Sequence, residues 1–145
     1  MIRVNVASAL IHDDNGYILL VKNRKKGDSF YWGLPGGAVE ENETLEQAVI
    51  REVTEETGYK IKITGLNSIR EALFSERDHH ALIITFNAKI IDGQININDP
   101  DNDIVEARWV DYGTAKELMP FLFESLRIDS NGNKSLAFYE FEGVR

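Results

Sequence analysis

Three glutamates carry the chemistry that this sequence can do. Glu52, Glu55 and Glu56 sit near the end of a stretch that reads as one helix. Thr44 is a suitable N-cap, Gln47 completes a capping box three residues later, and Gly58 is a natural stop. Leu45, Val49, Glu52 and Glu56 follow one another at i, i+4, i+7 and i+11. At 3.6 residues per turn they share one stripe, with Ala48 and Glu55 beside it. The apolar stripe that should face a core therefore continues into carboxylates. Buried charge is costly unless it is paired or bound to a metal, and like charges one turn apart repel. A hard divalent cation relieves both problems, because Mg²⁺ takes oxygen ligands and keeps several waters when it binds phosphates. The bland alternative is a solvated acidic face on a surface helix, and the apolar start of the same stripe argues against it.

The wider spacing is Gly37, five residues, Glu43, seven residues, Arg51-Glu52-Val53, one residue, Glu55-Glu56, one residue, Gly58-Tyr59. This resembles the Nudix box, the signature of hydrolases acting on nucleoside diphosphates linked to another moiety. Its seven fixed letters all match. With each letter at roughly 6% of ordinary composition, a chance match at one start position is on the order of one in a few hundred million. Tyr59 is the one departure, since the family usually has an aliphatic residue at this packing position.

The resemblance implies a set of roles. Glu52 and Glu56 are the first-choice ligands for Mg²⁺, with Mn²⁺ as the other possibility, and Glu55 is a third ligand or the group that orients water. Gly36, just before the box glycine, offers its carbonyl oxygen to the metal. Glu43 and Arg51 form a structural ion pair that holds the Gly37 loop against the helix. Glu106, ahead of Trp109, stands where relatives often carry an acid near the metals; an exposed strand residue is the competing reading. Whether Glu52, Glu55 or Glu106 takes the proton from water stays open.

Composition bounds the rest. The chain has 145 residues, 43% hydrophobic and 28% charged, which fits one globular domain spanning 1–145 with a sizeable core. There is no cysteine, so disulfides, cysteine zinc sites and thiol nucleophiles are excluded. The net charge of -8 argues against a non-specific nucleic-acid binder but not against a nucleotide substrate. No apolar run reaches the roughly 20 residues of a membrane helix and the start is not a signal peptide, so a cytoplasmic location is expected. The expected partner is a small-molecule nucleotide, with neither nucleic acid nor membrane, and homodimer formation is left open.

Around the helix, the pattern predicts strands over 4–12 and 17–21 joined by an Asn-Gly turn, then a basic loop over 22–28. Lys22 and Arg24 are either solubilising charges or contacts to substrate phosphate. In the aromatic run 30–32, alternate side chains must point to opposite sides of a strand. Trp32 is therefore either core or a surface for a base or ribose, and Phe74 is a second aromatic expected near the base. Further strands are predicted over 59–64 and 69–74 with a break at Gly65, over 81–91, over 94–97 after an Asp-Gly hairpin, and over 106–110. His79 and His80 fall in a polar turn and are either solvated or candidates for a catalytic or metal role. Segment 98–103 reads as acidic and flexible. A helix is predicted over 114–119, with Pro120 starting or kinking a second one, then a loop over 129–133 and a last strand over 136–141.

This order implies an α+β fold, a mixed β-sheet with helices on both faces, which is the Nudix α/β/α sandwich. The expected function is Mg²⁺- or Mn²⁺-dependent cleavage of the diphosphate linkage in a nucleoside triphosphate, an ADP-sugar or a dinucleoside polyphosphate. The proline and tyrosine that mark two family subclasses beyond the box are absent, since Ser75, Glu76 and Arg77 occupy those positions. A non-catalytic nucleotide sensor on the same fold is the alternative. A diphosphate isomerase usually needs a cysteine, which this chain lacks.

Overall fold

The fold is described from a computed structural model, over residues 1–128 and 136–145. The Asp-Asn-Gly turn folds as expected. Asp13 accepts from the backbone amides of Asn15 and Tyr17 at 2.9 and 2.8 Å, which closes the connection between strand β1 (Ile2–Ile11) and strand β2 (Ile18–Arg24). Strand β3 (Phe30–Gly33) then pairs antiparallel with β2, and short β4 (Gly36–Ala38) pairs antiparallel with β1. Helix α1 (Leu45–Thr57) follows, then β5 (Tyr59–Phe74), β6 (His79–Gly93), β7 (Ile104–Val110), α2 (Tyr112–Leu118), α3 (Pro120–Ser125) and β8 (Phe138–Val144).

The strands form two sheets, one ordered β4-β1-β6-β5-β8 and one ordered β3-β2-β7. The larger is mixed, with β1–β6 and β5–β8 parallel and the other pairs antiparallel. Period-two alternation sends β-strand side chains to two sides, and each side has its helix. Ala7, Ala9 and Ile11 of β1, Leu19 and Val21 of β2 and Ala107 of β7 meet Ala48, Val49 and Val53 of α1 in one core. Leu10, Ile18, Leu20 and Val110 meet Ala115 and Met119 of the α2–α3 region in the other. Helices thus cover both faces of mixed β structure, as the α+β reading required.

Several local expectations differ. Strand β5 does not break at Gly65; it runs on through register shifts at 60/61, 63/65 and 66/68, so the glycine marks a bulge. Residues 94–97 form no strand. They cross the C-terminal end of α1, where Asn96 and Asn98 donate backbone N–H groups to the Thr57 and Glu55 carbonyls at 2.9 and 2.8 Å. Those are carbonyls that a helix end leaves without partners. Lys22 and Arg24 lie in β2 rather than in a loop. His80 is in β6 and hydrogen-bonds Glu71 of β5, which also takes bonds from Arg3 and Tyr139. Segment 98–103 is a built turn: the Asp99 carboxylate accepts from the amides of Asp101, Asp103 and Ile104 at 3.2, 2.7 and 3.1 Å. Pro120 opens a separate helix at its first position. The loop expected over 129–133 lies outside the described residues.

Candidate functional site

Helix α1 is set by its own sequence. Thr44 accepts from the Gln47 amide at 3.1 Å, and the Gln47 side chain accepts from the Thr44 amide at 2.9 Å. Such a box stabilises a helix start by about 1 kcal/mol. Gly58 closes the other end with φ 87°, a left-handed conformation that glycine adopts without cost. Ala48, Val49 and Val53 are fully buried, which fixes the rotation of the helix. Leu45, expected on the same buried stripe, is exposed. With the rotation fixed, Glu52 and Glu56 must follow Val49 toward the protein interior.

The box glycines explain how those acids fit. A Cβ on Gly37 would stand 2.6 Å from Glu52 Oε1 and 2.7 Å from its Cδ, so any other residue would push that carboxylate from its present place. Gly36 donates its N–H to Glu56 Oε1 at 3.0 Å. Glu56 is 6% exposed, and no cation lies within ion-pair distance of it among the described residues. Burial pushes its carboxyl up to about 9, and the neighbouring Glu52 charge adds to the effect, as does that of Asp99. Glu52 is therefore the acid whose closeness to Glu56 most opposes its ionisation. Burial and the charges of Glu52, Asp99 and Glu40 raise Glu55 too, against the pull of Arg51.

Arg51 is the hub of the helix flank. Its Nε and Nη2 grip the two oxygens of Glu43 at 2.7 and 3.0 Å, and Nη2 reaches the Ala38 carbonyl at 3.3 Å. The fork holds the Glu43 carboxyl down at about 2. Nη1 meanwhile reaches Glu52 Oε1 at 3.0 Å and Glu55 Oε2 at 3.3 Å. Arg51 thereby fastens the loop after β4 to α1 and orients two of the three acids.

Among the described residues, no three acidic or imidazole side chains converge on one point. Arg51 draws Glu52 and Glu55 to its side, away from Glu56. The donor set nonetheless fits a hard cation: carboxylate oxygens one turn apart, one buried and uncompensated, with the space above Gly37 kept clear of side chain.

Other residues expected at the site are placed elsewhere. Glu106 pairs in register with Lys22 on the face of the three-stranded sheet turned away from α1, whereas Ala107 and Trp109 face α1. Its carboxylate bonds Arg108 Nε and Nη2 at 2.7 and 2.6 Å, so it is not gathered with the helix acids. Lys22 and Trp32 are register partners on that same face, with Lys22 Nζ 4.7 Å from the Phe30 ring centre and 6.0 Å from that of Trp32. Arg24 is tied down, its Nε donating to the Asn102 carbonyl at 3.1 Å. Phe74 lies six residues along β5 from Ser68, the level that Gly36 reaches through Ser8 and Thr85, or roughly 20 Å at strand rise. It sits beside Arg145 and is not brought to the acids.

Two residues escaped the sequence reading. Asp99 adds negative potential at Glu55 and Glu56. Tyr31, on the α1 side of β3, has its phenol raised by burial, with Glu56, Asp103 and Arg77 all close enough to act on it. Sequence offered Tyr31 only as the middle of an aromatic run, and Asp99 only as one of several acids in a polar segment. Tyr59 also gains a reason: its hydroxyl accepts from Trp109 Nε1 at 3.1 Å, a role that an aliphatic residue could not fill.

Comparison with known proteins agrees with this geometry. Residues 1–127 match the family model of the NUDIX domain. The chain is 34% identical over 109 residues to a Methanocaldococcus jannaschii protein named ADP-ribose pyrophosphatase, covering 75% of this chain and 62% of that one. It is 34% identical over 74 residues to a Bacillus subtilis protein named putative 8-oxo-dGTP diphosphatase, covering 50% and 48%. The chain thus spans less than two thirds of these relatives. A solved Nitrosomonas europaea NUDIX hydrolase superposes with a TM-score of 0.79 over 91% of this chain and 90% of that one, at 24% identity, which speaks for the fold. No helix among the described residues is long and apolar enough to cross a membrane.

Proposed function

Since the chain belongs to the Nudix hydrolase family, we propose that it cleaves the diphosphate linkage of a nucleoside diphosphate derivative in a reaction that depends on Mg²⁺ or Mn²⁺. The observation that carries this reading is Glu56, a carboxylate 6% exposed with a backbone N–H and a second acid as its neighbours and no cation of its own. A buried acid of this kind is stable as an anion only when a positive charge is supplied to it. Glu56, Glu52 and Glu55 are the side chains that would hold the metal, with the Gly36 carbonyl beside them. When bound, a divalent ion neutralises phosphate oxygens and makes water a better nucleophile at neutral pH.

The chain's own groups do the rest. Arg51 fixes Glu52 and Glu55 in orientation, and the Glu43 fork keeps Arg51 from following either acid outward. We assign to Glu55 the proton that an attacking water must lose, since burial raises its carboxyl and makes it a stronger base than a free glutamate. The ADP-ribose pyrophosphatase and 8-oxo-dGTP diphosphatase names of the two relatives make ADP-ribose and (d)NTPs the first substrates to try. The test is product analysis on ADP-ribose, dGTP, 8-oxo-dGTP and diadenosine polyphosphates with 5 mM-scale Mg²⁺ or EDTA (roughly; a working excess over typical site affinities). Metal-dependent release of a nucleoside monophosphate supports the reading. No turnover of any of them, with metal present, would remove it.

A further inference from the structure

The guanidinium of Arg51 has two edges with different company. Its Nε and Nη2 edge is held by Glu43 and by the Ala38 carbonyl at the end of β4. Its Nη1 group meets three carboxylates: Glu52 at 3.0 Å, Glu55 at 3.3 Å and Glu40 at 3.7 Å. Nη1 carries two N–H bonds, so it serves two of these acceptors in full and leaves one waiting. Glu40 is the one waiting, within ion-pair distance but without a hydrogen bond to Arg51. Its side chain is 67% exposed, whereas Glu52 and Glu55 are largely shielded from water. The Glu40 amide donates to Glu43 Oε1 at 3.0 Å, so the carboxylate that grips Arg51 also places the backbone of Glu40.

A divalent cation on Glu52 and Glu55 changes this balance. It would stand beside a guanidinium of the same sign and compete with Nη1 for carboxylate oxygens. The other edge of Arg51 cannot move off, because Glu43 and Ala38 hold it. A part-buried charged N–H group left without an acceptor is costly. Glu40 removes both difficulties, since it supplies the acceptor and its charge offsets that of Arg51. It is also close enough to act electrostatically on Glu55. Exposed pairs of this kind are weak, so the contact can form and release with the cation.

We propose that Glu40 is a positioning residue that receives the Nη1 group of Arg51 when Glu52 and Glu55 turn to a divalent cation. This handover rests on the metal-dependent reading of the acid site. It gives Glu40 a part in metal loading without contact to the metal. Without Glu40, Arg51 keeps its hold on the two acids and the cation binds less tightly.

Affinity for metal alone tests the handover, by calorimetric titration with Mn²⁺ and with Mg²⁺ in the absence of nucleotide. Glu40→Gln should weaken binding about threefold, the scale of one exposed ion pair. Glu41→Gln removes an equal charge from the next position, which makes no ion pair among the described residues, and should change affinity by less than about 1.5-fold. In an Arg51→Gln background, Glu40→Gln should have no further effect, because the group it receives is gone. Arg51 also fastens the loop, so a second measurement keeps it in place. In NMR spectra, Mg²⁺ should shift the Arg51 guanidinium signals of the parent. In Glu40→Gln with Mg²⁺, the Nη1 protons should exchange faster with water, since they lack an acceptor. Equal metal affinity in parent and Glu40→Gln overturns the handover, and the hydrolase reading survives it if turnover persists. An equal loss in Glu41→Gln reduces Glu40 to a surface charge and overturns it too. An undiminished effect of Glu40→Gln in the Arg51→Gln background makes Glu40 a metal ligand and overturns its positioning role. Glu40-dependent metal binding in a protein that cleaves no nucleotide keeps the handover and rejects the hydrolase reading.

Discussion

Glu56 and Glu142 are both glutamates with side chains largely shielded from water, and the molecule treats them in opposite ways. Glu142, on β8, has a side chain 3% exposed and lies 3.4 Å from Arg70 on one oxygen and 3.4 Å from Arg145 on the other. The Ser125 hydroxyl of α3 bonds it as well. Glu56, with 6% exposure, has the Gly36 amide and the like charge of Glu52 as neighbours. One carboxylate is neutralised from within the chain, and the other is left to be neutralised from outside. Their surroundings match that division. Glu142 comes from a strand beyond the family match at 1–127 and ties it to β5 and α3, whereas Glu56 lies in the helix that defines the family. A buried acid with its own arginine reads as architecture, and one without reads as a place for a ligand.

The largest expected effects test that division directly. Glu56→Gln should lower kcat by about 10³-fold or more, since it removes a buried charge that only metal would balance. The metal-free protein should melt no lower than the parent. Glu142→Leu should do the reverse, costing about 3–5 kcal/mol by stranding Arg70 while leaving kcat within a few-fold. Arg70→Met combined with Glu142→Leu should recover most of that loss. Chemical denaturation and steady-state kinetics on the four proteins check all of this. A Glu142 variant that loses turnover while its stability holds would break the comparison.

The same contrast explains what the sequence could reveal. The caps of α1, the buried run Ala48, Val49 and Val53 and its flanking glycines were legible because they are local, and the Glu43–Arg51 contact spans only eight residues; Leu45, read into the same stripe, was not. Glu142 and Arg70 were not legible, because the 72 residues between them are joined only by the pairing of β8 with β5. The face on which Glu106 falls was not legible for a related reason. In a strand one residue of register decides the face, and the register of β7 is fixed by Leu19–Trp109 and Val21–Ala107 contacts that no local pattern announces. Residues 94–97 had the alternation of a strand, but the open carbonyls at the end of α1 compete for their amides and win. Lys22 and Trp32 were chosen as substrate residues from composition, and β2–β3 pairing does bring them together, without Arg24 or Phe74.

A smaller effect sharpens the comparison through pH. The folded-state carboxyl of Glu56 is raised from the ordinary 4.5 to about 9, mainly by burial. A raised acid contributes stability that is fully present below about 4.5 and is lost as pH climbs toward 9, because the unfolded chain ionises first. Glu43, depressed to about 2 by Arg51, contributes with the opposite sign: present above 4.5 and lost as pH falls toward 2. In EDTA, the melting temperature should therefore decline between pH 5.5 and 8.5. Glu56→Gln should flatten the decline, and Mg²⁺ should raise the melting temperature more at pH 8.5 than at 5.5. Parallel pH profiles for parent and Glu56→Gln would mean that the burial of this acid is already compensated within the chain.

The smallest effect concerns a neutral pair that resembles Glu142 in logic and differs in size. Tyr59 accepts from the Trp109 indole at 3.1 Å, and the rings meet edge to face with centres 5.9 Å apart. This contact joins the residue after the α1 stop to β7, which carries the Glu106–Arg108 pair on its other face. Tyr59→Phe keeps the ring packing and leaves the part-buried indole N–H without its acceptor, which should cost about 1 kcal/mol. Turnover should be unchanged, because no charge is stranded and neither the acids nor Arg108 loses a partner. Measured beside Glu142→Leu, the variant sets a scale for polar groups satisfied within the fold, small for a neutral donor and severalfold larger for a charge. A drop in kcat for Tyr59→Phe would instead show that the register of β7 is transmitted to the acid site, and the separation between architecture and chemistry drawn from Glu56 and Glu142 would have to be narrowed to those two residues.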